Sequence, residues 1–259
     1  MITETRKKVG LALGAGSVRG FAHIGVLSVL IEAGIPIDYV AGSSVGSLIG
    51  AAFCYGMSID EIKNVSDELG WRKIAGPAWS GDGLASFEKM EKFIDELFDR
   101  PTFDDFHKPF SVVATDIDSD EEVVISEGRV APAIRASCSV AGVISPVHWN
   151  GRRLADGVFV NSVPVSVVKA MGAEIVIGVD VLKAFIRPRG GFISYIVNAF
   201  EIALRHAGGG IKNADCLITP EIGGFTYLRY SKRNELIARG RQAAEMKLPE
   251  IQQVIYGDQ

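Results

Sequence analysis

The sequence predicts an α/β fold built on a largely parallel sheet. Three observations carry that expectation. Short runs rich in β-branched and other apolar residues alternate with longer segments whose apolar residues recur at helical spacing. The strand candidates are apolar nearly throughout, as strands covered on both faces are. Glycine and proline punctuate the junctions between the two kinds of segment.

Lys8–Leu13 is the first strand candidate. Phe21–Ala33 places Phe21, Ile24, Leu27, Leu30 and Ile31 at helical spacing, and Gly34 and Pro36 stop it. Ile37–Ala41 predicts a second buried strand, and Val45–Tyr55 a small apolar helix. Ser58 and Glu61 form a capping box for a third helix that ends at Gly70. Ser86–Phe98 carries Phe87, Met90, Phe93, Ile94 and Leu97 on one helical face. Phe110–Thr115 and Glu122–Ile125 are strand candidates. In Trp149-Asn150-Gly151-Arg152 the Asn-Gly pair predicts a two-residue hairpin turn, since both residues tolerate positive φ. Val165–Met171 is a short helix closed by Gly172, and Ile175–Val181 a buried strand. Ile193–His206 predicts a helix, Cys216–Thr219 a strand and Lys232–Met246 a helix.

The 259 residues suffice for one large domain, expected over 1–259. The glycine-rich breaks at 80–83, 189–191 and 208–210 read as loops within it, with no internal repeat. A net charge of −4 and a pI near 5.7 argue against a global attraction to nucleic acid or anionic lipid. Three cysteines, Cys54, Cys138 and Cys216, lack the spacing of a disulfide framework or a zinc site and fit a reducing cytoplasm. The apolar run after Arg6, Lys7 and Lys8 is short for a signal peptide, and no run reaches the length of a membrane span.

Two glycine-rich junctions carry chemistry. The first, GLALGAGSVRG over 10–20, follows the first strand. As a dinucleotide loop it offers Gly14 and Gly16, but Arg19 takes the third glycine position and Gly20 comes one residue late. Asp38 stands at the distance of a ribose-binding acid, which leaves only a weak nucleotide match. The second junction is Gly42-Ser43-Ser44-Val45-Gly46, a G-x-S-x-G between strand and helix. There a serine hydroxyl stands up from the sheet edge, and the following helix aims its first amides at a developing oxyanion.

Serine needs a base. Among His23, His107, His148 and His206, only His206 follows a candidate aspartate in Ser–Asp–His order, giving Ser44–Asp156–His206 as one alternative. The other partner is Asp156 itself, in Leu154-Ala155-Asp156-Gly157. Alone, that Asp-Gly is an ordinary turn former.

Taken in order, GLALGAGSVRGFAHIGVL, AGSSVGS, VATDIDSDEEVVISEG, IRASCSVAGVISPV, RRLADGVFVNSVPV and GAEIVIGVDV resemble the patatin-like phospholipase family, in its bacterial branch. IARGRQAAEMKLPEI extends the resemblance into the C-terminal part, so it covers nearly the whole chain. The resemblance implies a three-layer α/β/α fold with a mainly parallel sheet, core motifs within 8–182, and 183–259 packed on the same domain. It implies a serine acyl hydrolase acting on fatty-acyl esters of phospholipids or lysophospholipids, without cofactor or metal. Ser44 is then the nucleophile and Asp156 the base of a dyad that uses no histidine. The oxyanion hole falls on Ala15, Gly16, Ser17, Val18 and Val45, supported by Gly14, Arg19, Gly20, Gly42, Gly46 and Gly157. Ala15 and Ser17 depart from the family's glycines, and positive φ at either would strain the loop. A catalytically weak adaptor of the same fold is the second alternative that this departure permits. Burial beside the nucleophile is expected to raise the pKa of Asp156.

Two features remain. Asp116, Asp118 and Asp120 imitate a calcium loop, but Glu121 takes the place of its glycine, which favours a solvated turn. Between Phe185 and Lys212, an apolar helix face meets Lys183, Arg187, Arg189, Arg205 and Lys212. Packing on the sheet is the expectation there, and peripheral contact with a membrane is compatible with it.

Overall fold

A computed structural model describes residues 6–78, 81–182, 195, 202–204, 210–223 and 230–257. All five residues of β1 (Val9–Leu13) are buried, because both faces of the strand are covered. Leu11 and Leu13 enter one apolar cluster and Ala12 the other. β2 (Tyr39–Ser43), β5 (Phe110–Asp116) and β9 (Ile175–Val179) alternate in the same way, with Val40, Val112 and Ile177 on the first side and Ala41, Val113 and Val176 on the second.

The first face is covered by α1 (Ala22–Glu32), α2 (Val45–Tyr55), α3 (Ile59–Glu68), α4 (Trp71–Ile74), α5 (Glu88–Phe98), α6 (Val130–Ser137) and α8 (Arg233–Tyr256). The second face is covered by α7 (Val165–Ala170), through Val165, Val167 and Val168, with Ile211 and Ala214. The result is three layers, as the family resemblance implies.

Among the described residues the sheet has eight strands. Its order is β10 (Cys216–Ile218), β9, β1, β2, β5, β8 (Arg152–Asp156) and β7 (Val147–Trp149), with β6 (Glu121–Ile125) also on β5. The pairs from β10 to β5 are parallel, and the three pairs made by β6, β8 and β7 are antiparallel. β3 (Gly76–Pro77) and β4 (Ala85–Ser86) form a separate two-stranded ribbon. The chain leaves β1 towards β2 and β5 and returns later to β9 on its other side. β1 therefore borders a switch point, and open α/β sheets characteristically bind ligands beyond the carboxyl ends of the strands at such a point.

One detail of register positions the site. Val112 pairs with Gly42 of β2 on one edge and with Ile125 of β6 on the other. Ala114 pairs with Asp156 of β8 and with Val123 of β6. β2 and β8 therefore share one edge of β5, end to end. Ser43 sits opposite Val113, and Asp156 opposite the next residue.

Several boundaries differ from expectation. β2 lies two residues later than expected, so that it runs directly into Ser44. A 3-10 turn over Ser17–Phe21 precedes α1 and takes its expected first residue. α8 continues to Tyr256 through Pro249. A proline inside a helix costs about 3 kcal/mol, while burying each of Ile251 and Ile255 contributes about 1.5–3 kcal/mol. α6 was not expected at all. The hairpin turn is as predicted, with φ of 49° at Asn150 and 79° at Gly151.

Arg152 and Arg153 at the start of β8 pair with Asp116 (3.3 Å), at the end of β5, and with Asp118, in the turn that follows it. The segment around Ile193–His206 lies almost wholly outside the described residues, as do Lys183, Arg187, Arg189 and Arg205. Among the described residues no helix is long and apolar enough to cross a membrane.

Candidate active site

Ser44 is the single residue between β2 and α2, so the chain reverses direction on it alone. Its φ of 53° and ψ of −128° lie where side-chain-bearing residues are strained, at a cost of about 1–3 kcal/mol. The surroundings hold it there. Its amide donates to Ser137 Oγ at 2.8 Å, and that hydroxyl donates to the Val113 carbonyl at 2.6 Å. Its carbonyl accepts from the Ser47 amide at 2.8 Å and the Ser47 hydroxyl at 2.6 Å. The flanking glycines are required by close approach: a Cβ on Gly46 would overlap the Leu13 carbonyl, and one on Gly42 would lie 2.5 Å from the Gly46 carbonyl.

Asp156 ends β8 and is 1 % exposed. Ser44 Oγ donates to its Oδ2 at 2.7 Å. Its Oδ1 accepts the Val158 amide at 2.9 Å, its own amide donates to the Ser139 carbonyl at 2.8 Å, and its carbonyl accepts from Thr115 Oγ1 at 2.7 Å. Gly157 follows because a Cβ there would overlap the Val113 carbonyl. Burial pushes the Asp156 carboxyl up to about 7, against the opposing pull of the Ser44 and Val158 hydrogen bonds.

Among the described residues no imidazole stands between the two groups. His23 bonds the Gly14 carbonyl, His107 lies beside Gly56 at the far end of α2, and His148 is on β7. His206 lies outside the described residues.

The first glycine loop runs from Gly14 to Gly20 beyond the end of β1. Gly14 donates its amide to Val179 O at 3.0 Å and Arg19 donates its amide to Gly16 O at 3.1 Å. The Ala15 amide, expected among the oxyanion donors, is instead committed to the Ser162 carbonyl at 2.8 Å. Ser17 has a φ of 52°, the conformation that glycine adopts freely; Ala15 has no such demand. Gly20 packs on Val45, where a Cβ would overlap the valine methyls. The loop and the first turn of α2 are thereby joined. Arg19 is completely buried, which suits anchoring the loop better than meeting substrate.

The structure brings together Ser44 and Asp156, two residues the sequence singled out, and sets the glycine loop beside the first turn of α2. Sequence reasoning missed Ser137, Ser139 and Thr115, which hydrogen-bond the backbone of Ser44 and Asp156. The signal was available for the first two, since Ser137 and Ser139 flank Cys138 in the quoted IRASCSV. The Cys138 thiol, held un-ionised by burial, also lies within reach of Ser44 and Ser47. A cavity of about 430 Å³ lined by Tyr55, Phe98, Asp99, Pro101, Asp105 and His107 sits at the opposite end of α2 from Ser44. Among the described residues no group of three or more His, Cys, Asp or Glu side chains is arranged to hold a metal ion.

The family model for patatin-like phospholipases matches residues 11–169, well over half of the chain. The chain belongs to the patatin-like phospholipase family. Lysophospholipase NTE1 of Phaeosphaeria nodorum is 33 % identical over 181 residues, covering 68 % of this chain and 12 % of that protein. An uncharacterized NTE family protein of Mycobacterium tuberculosis is 34 % identical over 176 residues, covering 67 % of this chain and 49 % of its own length. This patatin-like chain thus spans about half or less of the curated relatives it matches. Among solved structures, VipD from Legionella pneumophila superposes with a TM-score of 0.62 at 14 % identity, over 95 % of this chain and 66 % of that one. The type III effector ExoU superposes with a TM-score of 0.53 at 13 % identity, over 97 % and 54 %. Both share the patatin-like fold.

Proposed function

We propose that this chain is a serine acyl hydrolase that cleaves fatty-acyl esters of phospholipids or lysophospholipids through Ser44 and Asp156. The observation that carries the reading is the direct 2.7 Å bond from Ser44 Oγ to a buried carboxylate whose pKa is raised to about 7. An ordinary aspartate is too weak a base to activate serine; one titrating near neutrality is matched to the task.

Asp156 Oδ2 takes the Ser44 proton as Oγ attacks the ester carbonyl. The tetrahedral oxyanion is met by amides of Gly16, Ser17 and Val18 in the loop and of Val45 at the start of α2. Asp156 returns the proton to the departing alcohol, leaving an acyl group on Ser44. Water then loses a proton to the same carboxylate as it attacks the acyl carbon, and Asp156 returns that proton to Ser44 Oγ as the fatty acid leaves. The Val158 amide on Oδ1 keeps Oδ2 facing the serine throughout. Family membership supports the lipid ester as substrate, and peripheral contact with a lipid surface follows from that choice.

The test is intact-mass analysis after treatment with a fluorophosphonate lipid analogue, with the adduct mapped by peptide sequencing. An adduct on Ser44 is expected, absent in Asp156→Asn and retained in His206→Ala. Loss of labelling in His206→Ala alone would favour the triad. No adduct on folded protein would favour the catalytically weak adaptor.

A further inference from the structure

His23, in the first turn of α1, is completely buried and takes no part in the proton transfers above. It is the one ionisable side chain among that helix's buried residues, which are otherwise alanine, glycine, serine, isoleucine, valine and leucine. A leucine there would pack as the neighbouring side chains do, whereas the histidine buries an Nδ1 that has no hydrogen-bond partner among the described residues. What the histidine adds is one donor: Nε2–H to the Gly14 carbonyl, at 2.8 Å.

That carbonyl belongs to the peptide joining Gly14 to Ala15. Its other end, the Ala15 amide, donates to Ser162 O at 2.8 Å. The preceding amide, of Gly14, donates to Val179 O at 3.0 Å. A peptide held at both its oxygen and its N–H rotates only by breaking two bonds. The next amides along the chain are those of Gly16, Ser17 and Val18. We propose that His23 is a positioning residue for ester hydrolysis, its imidazole locking the Gly14–Ala15 peptide so that these amides are aimed at the oxyanion before substrate arrives. The proposal rests on the Ser44 reading above. Donors fixed in advance are what make an oxyanion hole effective, since none must reorganise during the reaction. Burial holds the imidazole pKa down to about 4, so the ring stays neutral with Nε2 as its donor.

Three variants test this: His23→Leu, His23→Gln and His23→Asn. A glutamine amide nitrogen reaches the place of Nε2, while an asparagine amide reaches only the place of Nδ1. Each is compared with wild type for kcat and KM on a p-nitrophenyl fatty-acyl ester, for the rate of fluorophosphonate labelling at Ser44, and for cooperative thermal unfolding. Leu and Asn are expected to lower kcat and the labelling rate about ten- to a hundredfold. KM should change little and the acid limb of the pH profile should stay in place. Gln should recover most of the loss. A folded Leu variant with kcat within twofold of wild type would overturn the proposal, as would equal losses in Gln and Asn. Should Leu not fold, the Gln–Asn comparison decides alone. Failure of the underlying reading shows separately, as wild-type protein that turns over ester without labelling at Ser44.

Discussion

Replacing Asp156 by asparagine should abolish ester hydrolysis and, above neutral pH, stabilise the fold. Burial holds the carboxyl at about 7 in the folded protein, against the 3.8 of an ordinary aspartate. Between those values the folded state holds a proton that the unfolded state has lost, so stability falls as pH rises through that window and levels off above about 7. Asparagine fits the same place: its oxygen accepts the Val158 amide, and its NH₂ faces the Ser44 hydroxyl, which then acts as acceptor. It carries no titration. The stability difference between variant and wild type should therefore widen from pH 5 to pH 8 by about two pH units' worth, roughly 2–3 kcal/mol. Any fixed cost of the substitution cancels in that comparison. Urea unfolding of both proteins at pH 5, 6, 7 and 8 measures it. A difference constant across the series would mean that Asp156 titrates as an ordinary aspartate, and the argument that burial makes it a base would fail.

Ser137→Ala removes the acceptor of the Ser44 amide at the strained elbow. An unpaired buried N–H costs about 1–3 kcal/mol, so thermal unfolding should fall accordingly and kcat should drop more than KM rises. Gly240→Ala places a methyl against the Ala22 carbonyl where α8 crosses α1. The helix-propensity gain of about 1 kcal/mol is outweighed by that overlap, and chemical denaturation should show a net loss of about 1–3 kcal/mol. The ratio kcat/KM should fall tenfold per pH unit below about 7, where Asp156 gains its proton; a profile flat to pH 4 would count against this carboxylate as the base.

The sheet was legible in the sequence because its strands are short, β-branched and bounded by glycine. The Ser44–Asp156 contact was legible because close packing leaves a written trace. Gly42, Gly46 and Gly157 stand where a Cβ would meet backbone, so the motifs G-x-S-x-G and Asp-Gly record contacts made across the sheet. The supporting serines lie in the quoted IRASCSV but leave no glycine to mark their contacts. Ser137 and Ser139 act on the site through a hydroxyl and a carbonyl that any local reading assigns to a turn, and Pro132 disguises the helix that carries Ser137. Ala15 shows the opposite error. Its place in the glycine loop suggested an oxyanion donor, but the direction of an amide depends on its partner, here Ser162, almost 150 residues further along the chain.

In the proposed dyad a carboxylate takes the usual place of histidine through architecture more than through its own chemistry. Histidine titrates near neutrality without help; aspartate does so only if desolvated. The sheet supplies that desolvation by ending β2 and starting the pairing of β8 on one edge of β5, which buries Asp156 and leaves it in contact with Ser44. The same burial that raises its basicity weakens the fold at the pH where it acts. The acid limb of the rate profile and the pH-dependent part of the stability difference are thus one quantity measured twice. An acid limb near pH 7 without the widening stability difference would assign the limb to another group. A widening difference without the limb would leave Asp156 buried and perturbed but not the base. Only their coincidence supports the dyad.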